Sequence, residues 1–388
     1  MTVLQKPALT WTAATPVHFD ETARAWIVCS HANVEFVLLG SDDFSYDIWD
    51  RRADPVFAGM WTADGQRHTD LRKLVKDYLQ VRRVQALSST IEGIVEALVD
   101  EVAAAGTGTI DVVNDLALPL AGRFVSALLG LELDTERVVR WRRQQHSAID
   151  AGRSPAIPDM WAYFEDLIAQ RRREPRADLL SHLIAAQRDG YLVDGEPLSD
   201  WDLIGSAWSL VTASTDGAPL GYALINLAVH GMLDRAREEP DLVAGAVEEA
   251  LRLYPTMPAI QVRAKRDVAV GGAVIPAGQL VHACLFTANL DPARFPDPQR
   301  FDPSRTPNRH LTFGFGAHVC IGAHFARLQL WLIIAAMLTK LPNLRLDTNR
   351  PVDHYYGRVF DALYEAHFRF DALGRTGLTD ADGTAARA

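Results

Sequence analysis

The sequence predicts a mainly helical α+β protein whose small β-sheets are segregated from a large helical region. Apolar residues recur at helical spacing over most of residues 66–253, and short β-rich runs follow, broken by Gly271-Gly272 and Pro276-Ala277-Gly278. Helices and strands that do not alternate favour an α+β fold over a βαβ array. With 48% hydrophobic residues among 388, one domain over residues 1–374 can bury a sizeable core. The small polar residues 375–388 are expected to form a disordered tail.

The first 65 residues predict a small region of strands and one helix, followed by an aromatic loop. Residues 16–40 contain two short strands, including the run RAWIVCS, and a short helix, HANVEFVLLG, that ends at Gly40. Residues 41–65 are irregular. Their large aromatic residues are Phe44, Tyr46, Trp49, Phe57 and Trp61. Such a loop forms either the margin of the core or the wall of a ligand pocket, and the pattern alone does not separate the two.

A basic amphipathic helix is predicted over about residues 66–83. Its apolar positions at helical spacing are Leu71, Leu74, Val75 and Leu79. The cationic residues of the other face are Arg67, Arg72, Lys73, Lys76, Arg82 and Arg83. This face is either an ordinary solvated surface or an electropositive docking patch. Further amphipathic helices are predicted over about residues 84–105, 111–130, 134–151, 157–172 and 176–189.

A long helix, apolar on nearly every face, is predicted from Ser199 to about Leu233, and this character indicates burial along its length. Ser199 and Asp202 have capping-box-like spacing at its start. Its middle contains the segment Ser214-Thr215-Asp216-Gly217-Ala218-Pro219. A proline inside a helix removes a backbone hydrogen bond and costs about 3 kcal/mol. We therefore predict a break at this segment, and its cost favours a functional reason.

Charge and cysteine content argue against several classes of function. The formal net charge of -10 disfavours nucleic acid as a partner, because phosphate binding needs clustered cations. The cysteines Cys29, Cys284 and Cys320 form no CxxC or CxxH pair, so neither a zinc site nor a disulfide framework is expected, and an odd count suits a reducing compartment. The apolar run 330–338 is too short to span a bilayer, and no signal peptide is recognised. We expect a cytoplasmic protein without a membrane segment.

The strongest chemical signal is the segment Phe313–Gly322, with the sequence FGFGAHVCIG. A thiolate that binds a metal is stabilised by backbone N–H groups and by the positive end of a helix. A Gly-rich loop frees such N–H groups, and Cys320 lies just before a helix predicted from about Ala323 to Leu338. A turn with a buried, inert cysteine is the alternative. For a cysteine inside this loop, the metal-bound thiolate is the favoured interpretation.

Several motifs together resemble the cytochrome P450 family. Residues 313–322 meet every fixed position of that family's signature F-G-x-G-x-H/R-x-C-x-G, and Ala326-Arg327 matches its usual continuation. Glu249-Ala250-Leu251-Arg252 is similar to the family's E-x-x-R, and FPDPQRFDPSR to its meander. His68-Thr69-x-Leu71-Arg72 resembles the helix that contacts the haem. The matching features extend from about residue 16 to residue 343.

The resemblance implies a single cytochrome P450 fold that holds haem b between the long central helix and the Cys loop. Cys320 would be the thiolate ligand of the iron and thus catalytic, and Phe313 would pack beside its sulfur. The residues implied to bind the haem propionates are His68, Arg72 and His318. Glu249 and Arg252 would form a structural ion pair, because residues three apart lie on one face of a helix.

The central helix departs from the family pattern A-G-x-E/D-T, which aligns with residues 213–217. Asp216 keeps the acid, but Gly217 replaces the threonine that normally steers protons to bound oxygen. The candidate catalytic residues of this helix are therefore Asp216 and Thr215. Thr215 or Ser214 could replace the missing hydroxyl, or a substrate hydroxyl or a water could relay the proton. A reaction that inserts no oxygen, such as oxidative coupling or cyclisation, is the third alternative.

Two further departures concern the haem edge and the N-terminus. The propionate-binding arginine of the family is expected ten residues after Arg252, where this chain has Val262, with Arg263 one position later. Within a strand, a shift of one residue turns the side chain to the other face, so Arg263 is not expected to replace it. The usual helix before RAWIVCS is shortened or missing.

The resemblance places the substrate pocket next to the aromatic loop, the break in the central helix and two later segments. The candidate pocket residues are Trp49, Trp61, Thr212, Ala213, Gly217, Met257, Gln261 and Phe360. Their character predicts an apolar or aromatic small-molecule substrate. Ordinary core packing is the alternative for each of them.

The implied function is a tailoring oxidation in specialised-metabolite biosynthesis that uses dioxygen. Electrons would come from an external ferredoxin and ferredoxin reductase, because the chain has no flavin or nicotinamide fingerprint. The basic helix with Arg327 would be the docking face, and we expect a monomer. Gly217 favours oxidative coupling, cyclisation or substrate-assisted hydroxylation. The alternatives are a peroxide-driven peroxygenase and a non-catalytic protein that binds haem or a ligand.

Overall fold

The computed structural model describes residues 11–79, 81–130, 134–214 and 217–372, and it confirms the predicted mainly helical α+β class. The α-helices are α1 (His31–Leu39), α2 (Gly65–Tyr78), α3 (Val81–Ala105), α4 (Leu118–Leu129), α5 (Thr135–Asp150), α6 (Pro158–Arg173), α7 (Leu179–Arg188), α8 (Asp200–Ser214), α9 (Ala218–Val229), α10 (Leu233–Glu238), α11 (Pro240–Leu253), α12 (Leu285–Ala288) and α13 (Ala323–Lys340). Short 3-10 turns occur at Pro55–Phe57, Met60–Thr62 and Gly316–His318, and a π-helical segment occurs at Val112–Ala117.

The strands form small sheets that are separate from the helical region, as predicted. They are β1 (Val17–Asp20), β2 (Ala25–Val28), β3 (Phe44–Ser45), β4 (Thr109–Asp111), β5 (Leu192–Val193), β6 (Glu196–Pro197), β7 (Ile260–Ala264), β8 (Val268–Val270), β9 (Ala273–Ile275), β10 (Leu280–Ala283), β11 (Arg345–Leu346), β12 (Asp353–Tyr356), β13 (Asp361–Glu365) and β14 (His367–Arg369). The largest sheet has the order β1-β2-β10-β7-β3, in which only β2 and β10 are parallel. A second sheet has the order β11-β14-β4, and β12-β13, β5-β6 and β8-β9 are two-stranded.

The N-terminal prediction of two strands and a helix is confirmed by β1, β2 and α1. Residues 11–16 contain no helix, and residues 1–10 lie outside the described residues, so the shortening or loss of the first helix stays a prediction. The predicted disordered tail, 375–388, lies outside the described residues. The single domain over residues 1–374 stays a prediction.

The predicted break in the central helix is present and divides it into two helices. α8 ends at Ser214, and α9 begins at Ala218 after Gly217. Pro219 lies in the first turn of α9, where a backbone N–H would have no helical partner, so the proline ends one helix and starts another without losing a hydrogen bond. The predicted capping box at the start of α8 is confirmed: the N–H of Ser199 donates to the Asp202 carboxylate at 2.9 Å, and the N–H of Asp202 donates to the Ser199 hydroxyl at 3.2 Å.

One large core joins the helices, and a smaller one lies beneath the five-stranded sheet. Residues of α3, α4, α8, α9, α11 and α13 pack together in the large core, and α1 covers the sheet. Within the described residues, Val112–Leu129 is long and apolar enough to cross a membrane, but 67% of it is buried in the fold. It therefore behaves as a core segment.

The aromatic loop is docked on α8 through two glycines. A Cβ at Gly59 would lie 2.6 Å from the carbonyl oxygen of Gly205, and a Cβ at Gly205 would lie 2.5 Å from the nitrogen of Gly59. Real Cβ atoms do not approach this closely, so the contact requires glycine on both sides. The loop is thereby held against the helix that precedes the central break.

The E-x-x-R residues form a fully buried ion pair at the end of α11. The guanidinium of Arg252 donates to both carboxylate oxygens of Glu249, at 2.7 and 2.8 Å. Its remaining N–H groups donate to carbonyl oxygens. One is that of Asn289, just after α12, at 3.0 Å, and two belong to the meander, Pro298 at 2.6 Å and Arg300 at 3.1 Å. Arg305 donates to the same carboxylate at 3.1 Å. This network ties α11 to the segment that leads into the Cys loop.

Candidate functional site

The Cys loop, Phe313–Gly322, is a tight turn whose glycines are required by geometry. Gly314 and Gly316 both have φ of +72°, a conformation that other residues rarely adopt. A Cβ at Gly316 would also lie 2.8 Å from the carbonyl oxygen of Leu38, so the loop is held closely against α1. The N–H of Cys320 donates to the carbonyl of Phe313 at 2.8 Å and closes the turn. Cys320 is therefore fixed immediately before α13.

The sulfur of Cys320 faces the groups that a metal-bound thiolate requires. The backbone N–H groups of Gly322 and Ala323 and the guanidinium groups of Arg72 and Arg327 are placed so that each favours the thiolate. Although Cys320 is an exposed residue, the protein atoms around its sulfur raise the pKa of the thiol, and these donors and cations oppose the rise. Because α13 begins at Ala323, the sulfur also lies at the positive end of an 18-residue helix.

The three residues predicted to bind propionates lie together beside the Cys loop. The ring of His318 stacks on the ring of His68 with centroids 3.9 Å apart. Arg72, one turn after His68 on α2, donates to the carbonyl of Val319 at 2.7 Å. Burial and the neighbouring His68 lower the pKa of His318 to about 3, and burial together with Arg72 lowers the pKa of His68. Their common position agrees with the interpretation from the sequence.

Tyr46 belongs to this group, although the sequence identified it only as one aromatic residue of the loop. The ring of Tyr46 stacks on the imidazole of His318, which also stacks on His68, with centroids 3.7 Å apart and an interplanar angle of 15°. Tyr46 is buried, and its hydroxyl has no hydrogen-bond partner among the described residues. Burial raises the pKa of this phenol, which therefore remains a neutral donor. No sequence pattern distinguishes Tyr46 from the other aromatic residues of the loop, because its partner His318 lies 272 residues later in the chain.

The residues present fit a haem. A cysteine sulfur with two N–H donors is a suitable iron ligand, since soft thiolates bind iron and hydrogen bonds to sulfur tune it. The unpartnered phenol of Tyr46, the imidazoles of His68 and His318 and the guanidinium of Arg72 are the donors that a pair of carboxylates would accept from. Ligand and carboxylate-binding groups thus lie on one side of the fold.

Phe313, the first residue of the Cys loop, bonds Cys320 through its carbonyl group, and its ring packs against the guanidinium of Arg327. The guanidinium of Arg327 lies 4.5 Å from the centroid of that ring, within the range of a cation–π interaction. Arg327 in turn donates to Glu248 at 2.6 Å. The carbonyl of Phe313 accepts the N–H of Cys320, and packing of the Phe313 ring beside the sulfur stays a prediction.

Arg263 points away from the Cys loop, as expected from the strand alternation. Its Nη1 donates to the carbonyl of Gly278 at 2.8 Å, on the exposed side of β7. Val262, at the family's arginine position, is fully buried in the core beneath the sheet. Strand β7 therefore offers no cation toward the Cys loop from either position.

The basic face predicted on α2 is only partly solvated. Arg67 turns inward, is 13% exposed and forms an ion pair with Asp202 of α8. Arg72 is engaged with the Cys loop, and Lys73 pairs with Asp77. The prediction that Arg67 belongs to a solvated or docking face is therefore wrong, because a buried carboxylate 135 residues later attracts it. The side chains of residues 82 and 83 lie outside the described part.

Trp49 and Trp61 gather around Phe57 in the aromatic loop. Trp49 stacks on Phe57 with centroids 4.8 Å apart and an interplanar angle of 6°, and Trp61 lies 6.0 Å from Phe57. The indole N–H of Trp61 donates to the carbonyl of Val56 at 3.3 Å. Both indoles are half-buried against the helical core. They form the core margin, and the part left exposed offers an apolar wall, so their role in a pocket stays a prediction.

The candidate residues of the central break divide between described and undescribed positions. The hydroxyl of Thr212 donates to the carbonyl of Trp208 at 3.0 Å, one turn earlier in α8, and Ala213 is exposed. Thr215 and Asp216, the two catalytic candidates, lie outside the described residues. Their roles stay predictions.

The later pocket candidates are engaged within the fold. The side-chain nitrogen of Gln261 lies 3.1 Å from Nε2 of His282, its partner on β10. Phe360 is buried and stacks on His146 of α5 with centroids 4.1 Å apart. Met257 packs, half-buried, against the helical core. Contact of these three side chains with a substrate stays a prediction.

Gly217 packs against the π-helical segment before α4. A Cβ at this position would lie 3.0 Å from Cγ1 of Val113 and 3.1 Å from Cβ of Ala117. We therefore expect Gly217→Ala to lower the free energy of unfolding by about 1–3 kcal/mol through overpacking, measured by chemical denaturation. Gly217→Thr should lower the free energy of unfolding further than Gly217→Ala does, because threonine has two more side-chain atoms to accommodate.

Val113→Ala supplies the matched control for this steric argument. If Val113 is the obstacle, Gly217→Ala combined with Val113→Ala should be less destabilised than the sum of the two single variants. Additive effects, or an unchanged stability of Gly217→Ala, would contradict it. The absence of a threonine at position 217 thus has a packing reason in this chain.

Comparison with known proteins agrees with the site geometry. The family model described as Cytochrome P450 matches residues 162–354. The chain is 34% identical over 352 residues to "Cytochrome P450 monooxygenase PikC" of Streptomyces venezuelae, covering 86% of this chain and 82% of that protein. It is 33% identical over 336 residues to "Mycinamicin IV hydroxylase/epoxidase" of Micromonospora griseorubida, with 83% of each covered.

A solved structure agrees in fold. The crystal structure of CYP109E1 from Bacillus megaterium in complex with testosterone superposes with a TM-score of 0.85, covering 92% of this chain and 95% of that chain. The sequence identity is 24%, so this likeness concerns the fold alone.

Proposed function

The chain belongs to the cytochrome P450 family, and on that premise we propose that it oxidises an apolar or aromatic small molecule in a tailoring step of specialised-metabolite biosynthesis. Membership makes it a haem b oxidoreductase of the monooxygenase type. The observation that carries the proposal is the sulfur of Cys320, which two backbone N–H groups and two guanidinium groups face. These groups stabilise a thiolate at the start of a helix.

The roles of the residues follow from their positions. Cys320 would hold the iron, and the bound haem would supply dioxygen activation, which the electron donation of a thiolate promotes. His68, Arg72 and His318 would hold the two carboxylates of the haem. The hydroxyl of Tyr46, which is buried and has no hydrogen-bond partner within the described residues, would donate to one of them. Gly217 leaves the proton-delivering position of the central helix without a hydroxyl.

The proposed substrate class is supported by the character of the aromatic loop. The half-buried indoles of Trp49 and Trp61 offer an apolar surface, which is typical of pockets for small organic molecules. The relative named for mycinamicin IV hydroxylation and epoxidation supports a place in the tailoring of a finished scaffold. We extend that class, and no particular compound, to this chain.

The proposed electron source is an external ferredoxin with its reductase, in the cytoplasm and with the enzyme as a monomer. The cationic groups on the Cys-loop side support an acidic partner, because opposite charge steers association. Arg67, Arg72, Lys73 and Arg327 already have partners in the described fold, so Lys76 is the remaining exposed cation of α2 that an acidic partner could use.

Proton delivery is proposed to depart from the family pattern. Thr215, Ser214, a water or a hydroxyl of the substrate would replace the missing threonine. A reaction that couples or cyclises the substrate would need less of this relay. Gly217 also favours, as a second candidate, peroxide-driven turnover, which bypasses the relay.

The test is a screen for ligands that shift the Soret band. Turnover of each hit is then measured with the complete redox system, without ferredoxin, and with hydrogen peroxide alone. We expect product with ferredoxin, ferredoxin reductase, a nicotinamide donor and dioxygen, and no product when ferredoxin alone is left out. Isotopic labelling of dioxygen then separates oxygen insertion from coupling or cyclisation.

Two outcomes would overturn the proposal. Efficient turnover with hydrogen peroxide alone, without redox proteins, would replace it with the peroxygenase. Consumption of reducing equivalents while a tightly bound ligand is never altered would favour the non-catalytic binding protein.

A further inference from the structure

Glu248, beside the E-x-x-R residue Glu249 on α11, has different partners from its neighbour. Glu249 serves the meander, whereas Glu248 faces α13. We infer that Glu248 is a positioning residue for the Cys loop: it holds the guanidinium of Arg327 beside Cys320 and so sets how strongly the thiolate donates to iron. The inference rests on the proposed role of Cys320 as iron ligand.

Two side chains hold the Glu248 carboxylate from different directions. Arg327 makes a two-point contact, with Nε 2.6 Å from one oxygen and Nη2 3.0 Å from the other. The buried ring of His310 places its Nε2 3.1 Å from the second oxygen. Because the N–H of Thr312 donates to Nδ1 of His310 at 3.3 Å, Nε2 is the nitrogen that carries the proton toward Glu248.

The carboxylate is charged in this setting. Burial opposes ionisation, but the hydrogen bonds from His310 and Arg327 outweigh it and lower the pKa of Glu248 to about 2. Two-point contacts between guanidinium and carboxylate are among the better-defined charge pairs in proteins. Glu248 therefore holds Arg327 in one orientation and partly offsets its charge.

Arg327 connects this pair to the sulfur by two routes. It lies one turn after Ala323 on α13, and the N–H of Ala323 donates to the carbonyl of Cys320 at 3.4 Å and favours ionisation of its thiol. Its guanidinium also lies 4.5 Å from the centroid of the Phe313 ring, and the carbonyl of Phe313 accepts the N–H of Cys320 at 2.8 Å. Release of Arg327 would change both the charge near the sulfur and the support of the loop.

The two members of the pair act on the iron with opposite sign. Reduction of the iron adds negative charge, which a nearby cation stabilises and a nearby carboxylate destabilises. The side chains of Arg327 and Glu248 are 40% and 29% exposed, so solvent screens part of this effect and leaves its sign unchanged. Glutamine at position 248 keeps one oxygen that can accept from Arg327, so the guanidinium stays in place while the charge that offsets it is lost. Glu248→Gln should therefore raise the reduction potential, and removing the guanidinium should lower it.

The test measures the midpoint reduction potential of haem-loaded wild-type protein, Glu248→Gln and Arg327→Gln. We expect a positive shift for Glu248→Gln and a negative shift for Arg327→Gln. Arg327→Lys keeps the charge and should stay near the wild-type potential. Both glutamine variants should also lose the thiolate form of the reduced carbon monoxide complex several-fold faster than wild type.

Glu101→Gln is the control for Glu248→Gln, since it makes the same change of net charge. Glu101 pairs with Arg123 at 2.8 Å in an exposed ion pair on other elements. Shifts of the same sign in both glutamine variants, or shifts no larger than that of Glu101→Gln, would overturn the inference. If Glu248→Gln fails to fold, Glu248→Asp keeps the charge but shortens the reach, and it should lose the thiolate form faster at a near-native potential. Absence of a thiolate spectrum in wild type would instead defeat the proposed role of Cys320.

Discussion

Replacing Cys320 with serine is expected to abolish the red-shifted carbon monoxide band of the reduced protein. That band would report thiolate ligation of the iron by Cys320, and a serine hydroxyl is neither soft nor ionised at neutral pH. The N–H groups of Gly322 and Ala323 would then have no charged acceptor. We expect complete loss of the band together with loss of turnover, measured as the difference spectrum of the reduced protein with and without carbon monoxide.

Cys29→Ala is the control for this experiment. Cys29 is fully buried in a small apolar cluster with Trp11, Ile27 and Cys284, which is separate from the Cys loop and from the core beneath the five-stranded sheet. This variant should keep the red-shifted band. A wild-type spectrum typical of histidine-ligated haem, or a Cys320→Ser spectrum that retains the band, would contradict the assignment of Cys320 as the ligand.

The Cys loop could be predicted from the sequence because its determinants are local. Gly314 and Gly316 supply the positive φ angles, and the start of α13 follows Cys320 within three residues. His68 and Arg72 could be predicted for a related reason, since residues four apart lie on one face of a helix. Contiguous motifs thus carry their own geometry.

The rest of the site depends on contacts between distant segments, which the sequence pattern does not encode. Tyr46 and the other aromatic residues of its loop look alike in the sequence, and only the fold places Tyr46 on His318. Arg67 looks like the other cations of α2 until the α8 carboxylate of Asp202 turns it inward. Gly217 looks like a lost hydroxyl, and only the approach of Val113 shows that a side chain would have no room.

Replacing Arg252 with methionine is expected to lower the free energy of unfolding by about 3–5 kcal/mol, because it leaves a buried carboxylate without its main partner. Glu249 and Arg252 are both 0% exposed, so solvent cannot compensate for the loss. The substitution also leaves three carbonyl groups, two of them in the meander, without the donors that hold this segment on α11. Chemical denaturation of the haem-loaded protein measures the effect.

The contrast with an exposed pair shows whether burial is the cause. Arg123→Met breaks the exposed pair with Glu101 and should leave the free energy of unfolding almost unchanged. Glu249→Gln with Arg252→Met removes both buried charges, and the double variant should be less destabilised than the sum of the single variants. Arg305, which donates to Glu249 at 3.1 Å, would face a neutral amide oxygen in place of the carboxylate, so full recovery is not expected. Equal effects of Arg252→Met and Arg123→Met would show that the ion pair is not what ties α11 to the meander.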